Sequence, residues 1–130
     1  MSIDVIGDFL TIIRNGLMSS KSFVIAPHSG LKLEVANILK EEGFIKDATL
    51  VEEDSRKYIK VFLKYVNGES VIHEIKRISR PGRRDYKTAT DIKPVIGGLG
   101  LSILTTSKGV ISHKQAKELG IGGEVICTVW

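Results

Sequence analysis

Along the first seventeen positions the apolar residues Val5, Ile6, Phe9, Leu10, Ile13 and Leu17 recur at spacings of one, three and four. That period predicts an amphipathic helix, with Ser2 placed to cap it and Asp4 and Asp8 near the positive end of its dipole. Phe23-Val24-Ile25-Ala26 reads as a short buried strand stopped by Pro27. Ser29 then caps a second helix carrying Leu31, Val35, Ile38 and Leu39 on one face, and Gly43 closes it in a left-handed position. Two strands follow, at 44–52 and 57–66, joined by Glu53-Asp54-Ser55. The order α-β-α-β-β predicts an α+β unit with a small sheet.

Asn67-Gly68-Glu69 is the expected junction, dividing the chain into domains 1–68 and 69–130. Beyond it a strand is expected near 71–78. It meets Arg80-Pro81-Gly82-Arg83, whose central Pro and Gly suit a type II turn that projects arginines outward. After Pro94, Gly97-Gly98-Leu99-Gly100 leads into the apolar strand Leu101-Ser102-Ile103-Leu104. That strand runs directly into Thr105-Thr106-Ser107-Lys108-Gly109. Ser112 and Gln115 form a capping box for a short helix ended by Gly120. A last strand, 124–130, follows Gly122-Gly123, and its terminal Trp130 is expected to be partly buried. The second half is thus mostly β with one short helix, and the fold class is α+β in two small domains.

Charge divides the halves. The net charge is +4, yet residues 1–70 hold nine Lys/Arg and ten Asp/Glu, while residues 71–130 hold ten and five. Lys76, Arg77, Arg80, Arg83, Arg84 and Lys87 lie within twelve residues, opposed only by Asp85. Such a cluster reads as a solvated basic face or as the footprint of a polyanion, and the neighbouring Pro81, Gly82 and Tyr86 favour the footprint.

Little supports catalysis. His28, His73 and His113 are scattered, with no paired ligand spacing, so no metal is expected. The glycines at 97–100 lack the dinucleotide fingerprint and the phosphate-loop lysine, so no cofactor is expected. Ser107 has only the adjacent Lys108 as a base, which makes it a poor nucleophile. The single cysteine, Cys127, lies in an apolar run and reads as buried and inert. No apolar run is long enough for a membrane helix and the start lacks a secretory pattern. A cytoplasmic location is expected.

What remains is polar recognition. Three hydroxyls, a lysine and a glycine at a strand end read as an ordinary polar turn or as a loop suited to base edges and sugar hydroxyls. The basic residues at 76–87 supply phosphate neutralisation beside it. RNA offers unstacked bases and 2′-hydroxyls to such a loop, and a structured RNA helix with an irregular site fits better than a bare single strand.

The motifs Arg80-Pro81-Gly82-Arg83-Arg84-Asp85-Tyr86, Gly97-Gly98-Leu99-Gly100, Thr105-Thr106-Ser107-Lys108-Gly109, Gly122-Gly123-Glu124 and terminal Trp130 resemble those of one family, that of the eighth protein of the bacterial small ribosomal subunit. The resemblance extends to Leu10-Thr11, Ile13-Arg14-Asn15, Pro27 and Ser29, and covers essentially the whole chain. It implies a two-domain α/β protein that binds the central domain of 16S ribosomal RNA early in assembly of the 30S platform, alongside neighbouring small-subunit proteins. It implies RNA contacts at Thr105, Thr106, Ser107, Lys108 and Gly109, with Tyr86 and Glu124 nearby, and the basic cluster read above adds Arg83, Arg84 and Lys87 as phosphate contacts. A second, weaker contact is implied at Thr11, Arg14, Asn15, Ser29 and Lys32. Binding of its own messenger, as an imitation of the ribosomal site, is the alternative that the resemblance implies. Val5 stands where the family usually has proline, Ile12 where it often has arginine, and Thr105 where it commonly has serine.

Overall fold

The computed structural model describes residues 4–92 and 99–130. Ser2, Pro94, Gly97 and Gly98, expected to cap a helix, break the chain and lead into a strand, lie outside the described residues. The chain forms two compact units, Asp8–His73 and a second one in which residues 4–7 join Glu74–Trp130.

Helix α1 spans Val5–Met18. Asp4, directly before it, accepts the Gly7 N–H at 2.9 Å and so serves as its cap. Ile6, Phe9, Leu10 and Ile13 are buried as their spacing predicts, whereas Val5, the first helical residue, is exposed.

In the first unit, β1 (Phe23–Pro27), β2 (Ile45–Glu53) and β3 (Arg56–Leu63) form an antiparallel sheet of order β1-β3-β2. β1 is an edge strand and only half-buried. Val24 and Ala26 point inward, while Phe23 and Ile25 face out, which corrects the expectation of a buried strand. Lys60 covers part of that outer face, with its ammonium 4.1 Å from the Phe23 ring centre. Pro27 is the last paired residue of β1, tolerated because an edge strand has ladder groups to spare. Helix α2 (Gly30–Glu41) is capped by Ser29, whose hydroxyl accepts the Lys32 N–H at 3.2 Å. It buries Val35, Ala36, Ile38 and Leu39 and packs on β2, while Leu31 stays exposed. Gly43 follows with φ +81°, and Phe44 N–H returns to the Leu39 carbonyl at 2.9 Å, closing the helix end as its sequence predicts.

Two hairpins turn on paired left-handed residues. Asp54 and Ser55, at φ 50° and 64°, join β2 to β3. Asn67 and Gly68, at φ 54° and 80°, join β4 (Tyr65–Val66) to β5 (Glu69–Ser70). The segment read as an interdomain junction is therefore a tight hairpin, the conformation that Asn-Gly favours, and the units divide after His73.

The second unit contains β6 (Ile75–Arg77), β7 (Tyr86–Lys87), β8 (Leu101–Thr106), β9 (Gly109–Ser112), α3 (His113–Leu119) and β10 (Gly123–Val129). Its antiparallel sheet has the order β6-β10-β8-β9, and β7 pairs with the start of β10. The strand expected at 71–78 is confined to Ile75–Arg77. Main-chain bonds between Glu74 and Trp130, 2.9 and 3.0 Å, close its end, and Trp130 is half-buried. Helix α3 has the full Ser112–Gln115 capping box and ends at Gly120 with φ +67°. Ile92, Leu104, Ala116 and Val125 form the core on the α3 side, with Ile78 and Ile111 against it. Cys127 is fully buried, and burial pushes its thiol up to about 12. His113 is buried too, its Nδ1 accepting the Ser102 N–H at 3.1 Å.

Candidate nucleic-acid interface

The hydroxyl segment is the tip of the β8–β9 hairpin. β8 is buried from Leu101 to Leu104 and then emerges, so Thr105 and Thr106 are half-buried and Ser107, Lys108 and Gly109 are exposed. Thr106 pairs across the hairpin with Gly109. Its hydroxyl donates to the Gly109 carbonyl at 2.9 Å and accepts the Lys108 N–H at 3.1 Å. The single hydroxyl proton of Thr106 is thereby committed to holding the turn. Ser107 and Thr105 are the hydroxyls left to meet a ligand.

Cross-strand register builds the rest. Glu124 sits opposite Thr105 on β8 and opposite Tyr86 on β7, and directly opposed residues share a face of the sheet. Val110 extends the row from β9, opposite Thr105. One face therefore presents Val110, Thr105, Glu124 and Tyr86 in a line, while the adjacent residues Leu104 and Val125 point into the α3 core. Tyr86 is 67% exposed.

Gly122 and Gly123 let three strands converge at this row. A Cβ on Gly123 would strike the Thr105 carbonyl oxygen and lie 2.8 Å from Thr106 Cγ2. A Cβ on Gly122 would strike the Lys87 carbonyl oxygen and lie 2.7 Å from Thr88 Cα. Close backbone approach, more than turn geometry, accounts for the glycine pair.

The arginine turn is anchored on the same strand. Ser79 N–H donates to the Val125 carbonyl at 3.0 Å, and Val125 N–H donates to the Asp85 carbonyl at 2.8 Å. The buried Ser79 hydroxyl accepts the Asp85 N–H at 3.2 Å. Between these posts Arg80 and Arg83 exchange main-chain hydrogen bonds of 2.8 and 2.9 Å. Gly82 has no positive φ, so this is not the type II turn that Pro-Gly suggested. The role of Ser79 was not legible in the sequence, because a lone serine between Ile78 and Arg80 carries no local signal.

The six clustered cations do not act alike. Arg77 is 11% exposed in its side chain and turned inward. Its guanidinium lies 3.2 Å from Asp4 and donates to the Ile126 carbonyl at 2.8 Å. Burial of Asp4 opposes ionisation. The hydrogen bond from Arg77, that from the Gly7 N–H and the charges of Arg77 and Arg80 outweigh it, so the carboxyl stays below its ordinary value. Arg84 pairs with Glu124 at 3.1 Å, and Lys87 stands 3.8 Å from Asp85. Lys76, Arg80 and Arg83 are exposed, and none has an ion-pair partner among the described residues.

The five residues of the second expected contact lie in α1 and at the start of α2. Thr11 and Asn15 are exposed, Arg14 is half-buried, and all three lie within a little more than one turn of α1. Ser29 spends its hydroxyl on the cap. Lys32 is only 6% exposed, and its ammonium donates to the Pro27 carbonyl at 2.9 Å. Here a lysine at a strand-to-helix turn ties the end of β1 to the helix that follows it.

Among the described residues no group of three or more His, Cys, Asp or Glu side chains is placed to hold a metal. None of their helices is long and apolar enough to cross a membrane.

A family model described as Ribosomal protein S8 matches residues 4–130. The chain is similar to the small ribosomal subunit protein uS8 of Thermosipho melanesiensis, 52% identical over 131 residues, 98% of each chain. Against the proteins of the same name from Lactococcus lactis and Halothermothrix orenii it is 51% and 48% identical, covering 98% of this chain and 97% of each of those.

Proposed function

This chain belongs to the ribosomal protein S8 family, and from that premise we propose that its second unit binds the central domain of 16S ribosomal RNA and helps assemble the 30S platform. As a member of the family it is a structural, non-enzymatic component of the small ribosomal subunit, within a ribosome that in bacteria is cytoplasmic. Its neighbours there are ribosomal RNA and other ribosomal proteins.

The observation that carries the reading is the register of Glu124 between Thr105 and Tyr86, beside the hairpin tip and the arginine turn. It gathers an aromatic ring, a carboxylate and the Thr105 hydroxyl on one face, with the exposed Ser107 and Lys108 at the adjoining hairpin tip. Uncharged donors and acceptors with a stacking ring suit base edges and 2′-hydroxyls, while Arg80, Arg83 and Lys76 suit phosphates. Charge supports the same division. The second unit has ten Lys/Arg against six Asp/Glu, and the first has nine of each. The contact comprises Thr105, Ser107, Lys108, Gly109, Tyr86 and Glu124 as readers, with Arg83, Arg84 and Lys87 alongside and Thr106 holding the turn. The α1 surface of Thr11, Arg14 and Asn15 is the weaker, second contact.

Ultraviolet crosslinking of the full chain to a 16S central-domain transcript, followed by peptide mapping, tests the assignment. Crosslinked peptides are expected from 105–109 and from Tyr86. Crosslinks confined to the unit Asp8–His73 would overturn it.

A further inference from the structure

Glu124 is the one acid among the residues assigned to the contact, and a carboxylate facing a polyanion is repelled unless something offsets its charge. That offset is present. Arg84 Nη1 lies 3.1 Å from Glu124 Oε1, with side-chain exposures of 46% for the arginine and 14% for the glutamate. The glutamate is confined between its cross-strand neighbours Thr105 and Tyr86, and the arginine reaches it from the anchored turn. Oε1 is engaged by Arg84, and no donor among the described residues is bonded to Oε2.

Resting on the RNA-binding reading, we propose that Arg84 is a positioning residue for Glu124, holding a neutralised carboxylate whose free oxygen reads an exocyclic amino group of a base. An ionised carboxylate only accepts hydrogen bonds. Its partner must therefore be a donor, and phosphate and carbonyl oxygens are refused. A 2′-hydroxyl also donates, but every nucleotide carries one, so only a base amino group makes the contact depend on sequence. The pair with Arg84 fixes the plane of the carboxylate and removes its net charge, so the RNA backbone can approach. Adjacent arginines thus divide the work. Arg83 has no ion-pair partner among the described residues and attracts phosphate, whereas Arg84 acts through Glu124.

Equilibrium binding to a 16S central-domain transcript and to a scrambled RNA of equal length, across a salt series, tests this with the full chain. The variants are Arg84→Ala, Glu124→Gln and the double substitution. Arg84→Ala is expected to lower the cognate-to-scrambled affinity ratio by about tenfold. Glu124→Gln should lower it as much, and adding Arg84→Ala to it should lower it no further. Arg84→Lys, which restores a positive charge beside the carboxylate, should recover most of the ratio, a rescue that a role in folding alone would not require. Equal weakening of both RNAs by Arg84→Ala, with the salt slope falling by about one, would make Arg84 a phosphate anchor and overturn the inference. So would losses that multiply in the double variant. If the native chain bound both RNAs equally, the RNA-reading assignment itself would fall, and this inference with it.

Discussion

The buried hydroxyl of Ser79 accepts the N–H of Asp85 at 3.2 Å, closing the loop 80–84 that carries Arg80, Arg83 and Arg84. Both residues are also bonded to the main chain of Val125, immediately after Glu124. The arginines therefore stand on a rigid base beside the reading row. Ser79→Ala leaves the Asp85 N–H without its partner in a part-buried site, and should cost about 1–3 kcal/mol. Urea unfolding measures this, and an unchanged midpoint would show that the loop holds without the serine.

Substituting alanine at Gly123 tests the convergence of strands. A Cβ there meets the Thr105 carbonyl, a backbone atom that cannot swing aside. Gly123→Ala should destabilise the chain by about 1–3 kcal/mol, as overpacking does, and should displace Thr105 from its register with Glu124. Amide chemical shifts at Thr105 and Val110 report the displacement directly.

Acid sensitivity should centre on Asp4. Its carboxyl is lowered from the ordinary value of 3.8 in the folded chain, so the folded state binds its proton less readily than the unfolded state does. The resulting stability is fully present above about pH 4 to 5 and is lost as the pH falls through the lowered folded value. Asp4→Asn should be less stable than the native chain at neutral pH and should show a shallower loss below pH 4. Parallel acid slopes for the two chains would place the titration elsewhere.

Cys127 should resist alkylation. Burial pushes its thiol up to about 12 and closes it to solvent, so at pH 8 almost no thiolate is present to react. Iodoacetamide labelling should follow global unfolding in urea. Rapid labelling of the folded chain would show that the strand opens.

The helices and their ends were legible because their signals are local. Ser29, Gly43, the Ser112–Gln115 box and Gly120 each act within one turn of their own position. Strand burial was less so. Phe23 and Ile25 are as apolar as Val24 but lie on the outer face of an edge strand, partly covered by Lys60 from β3. Asn67-Gly68 has the composition of either a linker or a hairpin, and pairing of Tyr65 with Ser70 decides for the hairpin. In the candidate site, the hydroxyl segment and the basic cluster stood out, while their internal commitments did not. The pairing of Arg77 with Asp4 spans 73 positions, and that of Arg84 with Glu124 spans 40. No local pattern announces which cations are already engaged. Thr106 likewise looked like its two neighbours until the hairpin consumed its hydroxyl.

Attraction at the arginine turn and recognition at the hairpin tip respond differently to ionic strength, and a salt series separates the two. Affinities of the native chain, Arg80→Ala/Arg83→Ala and Thr105→Val/Ser107→Ala should be measured for the 16S central-domain transcript and a scrambled RNA. Removing the arginines should weaken both RNAs alike and flatten the salt slope by about one to two. Removing the hydroxyls should leave the slope unchanged and weaken the cognate RNA alone, by about 1–3 kcal/mol. If the hydroxyl pair altered the slope, or weakened both RNAs equally, the hairpin tip would not be the reading element.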